Sequence, residues 1–181
     1  VGGHGIAGLK AEEMVRLADQ FKPNGRPVAT LLALLDELEG SDRDRIVAPL
    51  PPGDPERLRR LSAFTFVPEE VALTRLRPWP GMGGLPRRWT DAGSVVDLAA
   101  QVRAHGVPPR AYRLDEMWTW ARLHRAEALV WLRRLPLIAI PEFHPRVPVT
   151  PAPLTLDDGS HRAVVLALLG EVSAPCWVGH Q

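Results

Sequence analysis

The sequence predicts an α+β fold: a small mixed β-sheet with packed helices, preceded by a helical N-terminal extension. Three observations carry this. Apolar residues recur at helical spacing early in the chain, as in Leu31, Leu34, Leu35 and Leu38, which suits a one-sided helix. From Val71 the pattern changes, and Val71-Ala72-Leu73-Thr74-Arg75-Leu76-Arg77 alternates as a strand does. Near the end, Leu154-Thr155-Leu156 runs into Asp157-Asp158-Gly159-Ser160-His161-Arg162 and then an apolar run to Gly170. That order is strand, tight polar turn, helix.

Taken along the chain, a helix is expected over about Leu9–Phe21, ended by Pro23-Asn24-Gly25. A second follows over Pro27–Leu38, with Pro27 suited to a first helical position and Gly40 to a stop. Pro49, Pro51 and Pro52 mark a linker, and a short helix is expected over Pro55–Ala63 with Asp54 as its cap. Residues 1–66 thus form the helical extension and 67–181 the α+β domain. Within the latter, Pro78–Arg88 is a loop broken by glycine and proline. Ser94 caps a helix over Val95–His105, which Gly106 stops. A helical insert occupies roughly 108–135, with Trp118, Trp120 and Trp131 as core or interface anchors. Leu137–Ile140 is a buried strand candidate, Pro141–Pro153 is irregular, and the last strand covers Val172–Val178.

Bulk properties narrow the function classes. The chain has 181 residues, 45% of them hydrophobic and 24% charged, a globular balance. Its net charge of +1 weighs against nucleic acid as the main partner and against a nuclease. The basic side chains are arginines except Lys10 and Lys22. Arginine suits bidentate contact with phosphate, although genome composition accounts for such a skew as well. The single cysteine, Cys176, excludes a disulfide within the chain and sits in a strand context where a thiol is inert packing. No zinc-ligand spacing occurs. No apolar run reaches the roughly 18 residues that span a bilayer, and no signal peptide opens the chain. A cytoplasmic location without membrane contact is expected.

The turn at residues 157–162 concentrates the chemistry. A strand feeding a glycine turn into a helix N-terminus makes an anion site, because the first backbone N–H groups of a helix lack internal partners. Asp158 is the expected N-cap, or else holds a hydroxyl or a metal. Asp157 is the candidate ligand for Mg²⁺ carried by a nucleotide, against simple solvation. Ser160 offers an N–H and a hydroxyl to a phosphate oxygen. His161 donates to phosphate or works as acid and base; its alternative is a bond to a neighbouring carbonyl. Arg162 makes a fork to phosphate, or an ion pair with Asp157 or Glu171. Arg87 and Arg88 lie on the expected loop, placed to close over a ligand. Glu142, with His144 beside it, follows the buried strand and is a candidate general base for a substrate hydroxyl.

Two stretches resemble the ParB/sulfiredoxin-like superfamily. One is Val71–Pro80 followed by Ser94–Val107, similar to that family's opening strand, arginine-bearing loop and glycine-ended helix. The other is Asp158-Gly159-Ser160-His161-Arg162, similar to its Asp-Gly-X-His-Arg box. The resemblance covers about Val71–Val178, interrupted over 108–153. It implies that nucleotide phosphates lie on the helix N-terminus beside His161 and Arg162, with Asp158, His161 and Glu142 as catalytic candidates. Gly159, Ser160, His161, Arg162, Arg87 and Arg88 are then the binding candidates. The implied ligand is a nucleoside triphosphate or diphosphate, ATP or CTP, with Mg²⁺. The implied activity is a small-molecule kinase acting on a hydroxylated substrate, or a nucleotide hydrolase. A non-enzymatic DNA-associated or regulatory module is the alternative, and a homodimer is consistent with either. Serine at position 160 replaces the cysteine of the sulfinic-acid reductases, so that chemistry is not expected. The helix-turn-helix region of partitioning proteins is not found after the box.

Overall fold

A computed structural model describes residues 60, 61, 63–91, 93–134, 136–141 and 152–181. The helices expected at 9–21 and 27–38, most of that at 55–63, and Glu142 with His144 lie outside the described residues. The chain divides into two units, Val1–Val67 with Gly179–Gln181, and Pro68–Val178. In the first, the Phe64 and Phe66 rings meet edge to face at 6.4 Å, and Gly179 lies against Phe64.

The described residues form a mixed α+β structure with one five-stranded sheet, whose strands β1 and β5 each include residues of both units. Its strands are β1 (Thr65–Ala72), β2 (Leu76–Arg77), β3 (Leu137–Pro141), β4 (Leu154–Asp158) and β5 (Ser173–His180), ordered β1-β5-β3-β4-β2. β3 runs antiparallel to β4 and parallel to β5, and β2 runs parallel to β4. The stretch expected as one strand over Val71–Arg77 is broken by a 3₁₀ turn at Leu73–Arg75. The reason lies in its apolar spacing. Val71 and Leu73 are two apart, but Leu73 and Leu76 are three apart, and all three are buried. A period of two suits a strand, and a period of three suits the 3₁₀ turn.

That turn has a consequence for the sheet. It joins β1 to β2, which lie at opposite edges of the strand order. In a flat sheet those edges would stand about 19 Å apart, four strand spacings. Four residue steps, Ala72 to Leu76, reach about 14 Å at most. The sheet is therefore curled, and the chain crosses the gap between its edges.

The helices are α1 (Arg87–Thr90), α2 (Val95–His105), α3 (Tyr112–Leu123), α4 (Arg125–Arg134) and α5 (Ser160–Leu168). α2 has the expected bounds, and its start is a capping box. Ser94 Oγ accepts the Asp97 N–H at 3.3 Å, and Asp97 Oδ2 accepts the Ser94 N–H at 2.7 Å. The insert is two helices broken at His124, across which Trp120 and Trp131 stand perpendicular at 5.7 Å. Trp131 is buried, whereas Trp118 and Trp120 are half-buried.

α5 is the central element, packed by α2, α3 and α4. Ala163 to Leu169 are all buried, as expected of a helix apolar on every side. Its C-terminus closes in a Schellman motif: Glu171 N–H bonds the Leu166 carbonyl at 3.0 Å and Gly170 N–H bonds that of Ala167 at 3.1 Å. Gly170 has φ +89°, which glycine tolerates. α5 has no basic residue in its last turn, so the charge comes from its neighbours. Arg103 of α2 donates to the Ala167 carbonyl at 2.5 Å and Arg125 of α4 to the Leu169 carbonyl at 2.6 Å. Two cations thus meet the negative end of the helix dipole. The effect is to fix α5 rigidly, with its N-terminus at the end of β4.

Candidate functional site

β4 ends at Asp158, Gly159 turns the chain, and α5 begins at Ser160. The expected N-cap role of Asp158 is not what the chain adopts. Asp158 belongs to the strand, and the N-cap is Gly159, in the left-handed region at φ +88°, with no side-chain cap. Asp158 pairs with Ile138 at an irregularity in the β3–β4 register, one residue before the cap position. Its carboxylate instead takes the Arg162 guanidinium, Oδ2 to Nη2 at 3.3 Å, one helical turn on. Among the described residues Arg162 thus pairs with Asp158, where Asp157 or Glu171 was expected. Glu171 is held by Arg133 at 3.2 Å.

Arg162 is buried. Burial presses its pKa down, and the Asp158 charge opposes that. Gly159 is required here for space as well as for φ. A Cβ would stand 2.5 Å from Leu137 Cδ2 and 2.9 Å from Arg162 Nη2. Ser160 is also buried, and its Oγ accepts the Trp79 backbone N–H at 3.0 Å. The hydroxyl thereby fastens the loop after β2 to the start of α5, while its proton can still be donated.

Burial holds the His161 imidazole below its ordinary pKa, the Arg113 charge adds to this, and Asp158 opposes both. At neutral pH the ring is uncharged and can donate from one nitrogen while accepting at the other. A stability consequence follows. The unfolded chain's imidazole titrates near 6.5, so below that pH the unfolded state binds more protons than the folded one. Stability is undiminished above about pH 7 and falls as pH drops through about 6.5 toward the lower folded value. His161→Gln is expected to flatten that fall; urea unfolding at two pH values either side of this window measures it.

Arg113, in the first turn of α3, was not legible as a site residue, because it lies in the insert outside the Asp-Gly-X-His-Arg box. Trp79 was equally hidden: a backbone N–H leaves no mark in a sequence pattern. The expected loop position of Arg87 and Arg88 is corrected. Both open α1, whose Trp89 and Thr90 are buried and whose Trp89 stacks on His105 at 5.8 Å. Pro86 precedes the helix with φ −59°, already set for a helical start. Both arginines are exposed on this anchored turn. Asp157 is half-buried at the end of β4. Among the described residues no three His, Cys, Asp or Glu side chains gather to hold a metal ion. Cys176 is buried in β5, its thiol pushed up to about 12 by burial and by the charge of Glu70 against the pull of Arg162. It stays protonated and is no nucleophile.

No helix among the described residues is long and apolar enough to cross a membrane. No family model, curated protein or solved structure matches the chain.

Proposed function

We propose that this chain is a ParB/sulfiredoxin-like protein, with a helical N-terminal extension, that binds nucleotide phosphates at the start of α5. The observation that carries the reading is the junction of β4, Gly159 and α5. There a helix N-terminus without a side-chain cap is followed at once by Ser160, His161 and Arg162. Unsatisfied first-turn amides and the positive end of the dipole favour an anion. A neutral imidazole adds a donor without charge, and Arg113 adds a cation at its side. The ligand is a nucleoside triphosphate or diphosphate, ATP or CTP. Mg²⁺ would neutralise phosphate charge, and one carboxylate, that of Asp157, suffices beside phosphate oxygens.

The activity is phosphoryl transfer to a small hydroxylated acceptor or to water, a reaction that needs mainly positioning and charge stabilisation. A second reading, a non-enzymatic nucleotide sensor, draws on the Asp158–Arg162 pair, which commits the nearest carboxylate to structure. Thermal unfolding with ATP, CTP or GTP and Mg²⁺ tests binding. A ligand at 100 times its Kd stabilises by about 2.7 kcal/mol, a rise of several degrees that His161→Ala should abolish. Unchanged midpoints with all three nucleotides would remove the reading. Release or transfer of phosphate then separates enzyme from sensor.

A further inference from the structure

The described arginines differ in what their side chains hold. Arg133 and Arg162 hold carboxylates, while Arg75, Arg103 and Arg125 donate to backbone carbonyls. The side chains of Arg87, Arg88, Arg110, Arg113 and Arg122 are exposed and make no hydrogen bond or ion pair, and that of Arg122 lies 5.6 Å from the Trp118 ring, further along α3. One contact links the segments that carry the first four. The backbone at Gly84 touches that at Arg110, so closely that a methyl group on Gly84 would land on the Arg110 carbonyl. Arg87 and Arg88 lie three and four residues after Gly84, at the start of α1, and Arg113 lies three residues after Arg110, in the first turn of α3.

Two exposed aromatic rings share these segments. Trp79, at 37% exposure, stands at the start of the Gly84 loop, and Tyr112, at 59%, follows Arg110. The Arg113 guanidinium lies 6.0 Å from the centre of the Tyr112 ring. Cations uncommitted to protein carboxylates and interleaved with exposed ring faces are the components of a single-strand platform: arginine meets phosphate, and the ring receives a base. An acidic peptide would use the cations but not the rings, and a duplex keeps its base faces stacked inside.

We propose that Trp79, Arg87, Arg88, Arg110, Tyr112 and Arg113 form a binding surface for single-stranded nucleic acid. This goes beyond the nucleotide site, with which it shares Arg87, Arg88 and Arg113, while the Tyr112 ring belongs to this surface alone. The near-neutral chain hides the surface, because net charge says nothing of which arginines are already used internally.

The test is fluorescence anisotropy of a labelled 12-nucleotide single strand against the full chain over a range of salt. Binding should weaken with salt, with a slope of about −0.7 in log K against log salt for each phosphate contacted. The double variant Arg87→Ala/Arg88→Ala, and Arg113→Ala, should each weaken binding and make that slope shallower. Trp79→Ala and Tyr112→Ala should each weaken binding roughly tenfold with the slope kept. Tyr112→Ala matters most, since so exposed a ring contributes little to folding. Arg122→Ala, about 15 Å further along α3, should leave affinity unchanged.

Lack of binding at low salt would overturn the proposal. So would affinity unaltered by the arginine variants, or losses confined to them with both ring variants binding normally. Displacement by polyglutamate as readily as by unlabelled strand would overturn it too. A nucleotide-induced thermal shift without strand binding sinks this surface and leaves the α5 site standing; the converse does the opposite.

Discussion

Gly84→Ala is expected to destabilise the protein by about 3 kcal/mol, lowering the unfolding midpoint by about 10 °C. Gly84 has φ +81°, where an L side chain costs roughly 1–2 kcal/mol. The larger difficulty is space. The new methyl group meets only backbone: the carbonyl of Arg110 and the amide nitrogen of Ala111. A flexible side chain could swing aside, but these atoms cannot, because both segments are pinned in the core. Met82 and Leu85 anchor one side, and Ala111 and Leu114 the other, all buried. Gly81 gives the control. It has φ +73°, but nothing stands within 4 Å of its added Cβ, so Gly81→Ala should cost only about 1 kcal/mol. Urea unfolding of both variants measures the contact as the difference between them. Equal losses would mean that the two segments part easily.

The comparison of sequence with structure follows a physical rule. Features set by local chemistry were legible. Ser94 and Gly106 marked both ends of α2 at the positions observed, and the apolar run ending in Gly170 marked α5 and its stop. The pairing of Asp158 with Arg162 was less so. Both residues were singled out, but an aspartate before a helix suggests a cap, and the chain instead ends β4 at Asp158 and puts Gly159 at the cap. What could not be read was long-range: the crossing of the sheet edges at Leu73–Arg75, the Trp79 N–H on Ser160, the approach of Arg113 to His161, and the Gly84–Arg110 contact. The last three join segments far apart in the chain through backbone atoms or through field, and the first depends on the order of the whole sheet. A small mixed sheet was expected, with Val71–Arg77 as one strand; the curl follows only once β1 and β2 are known to be the two edges of the sheet.

Asp158→Ala should cost about 3 kcal/mol, because removing one member of a buried pair leaves the other charge poorly compensated. The two sides of the pair are unequal, and that asymmetry makes the expectation specific. The Arg162 side chain is 10% exposed and that of Asp158 22%. Arg162→Met leaves a carboxylate that water can reach, so it should cost less than Asp158→Ala. The double variant Asp158→Ala/Arg162→Met should be more stable than Asp158→Ala alone, since no buried cation remains. Asp158→Asn keeps an oxygen acceptor near Nη2 and should fall between wild type and alanine. The series, measured by urea unfolding at pH 7, distinguishes a structural pair from a catalytic carboxylate. If Asp158 only holds Arg162 in place, nucleotide-induced stabilisation should fall in proportion to the loss of folding stability and recover in Asp158→Asn. A variant that folds as well as wild type yet loses phosphate turnover would instead assign Asp158 to the chemistry. In either case the positive φ at Gly159 and the arginine-held C-terminus of α5 keep the first-turn amides in position, so the geometry of the anion site does not rest on this carboxylate alone.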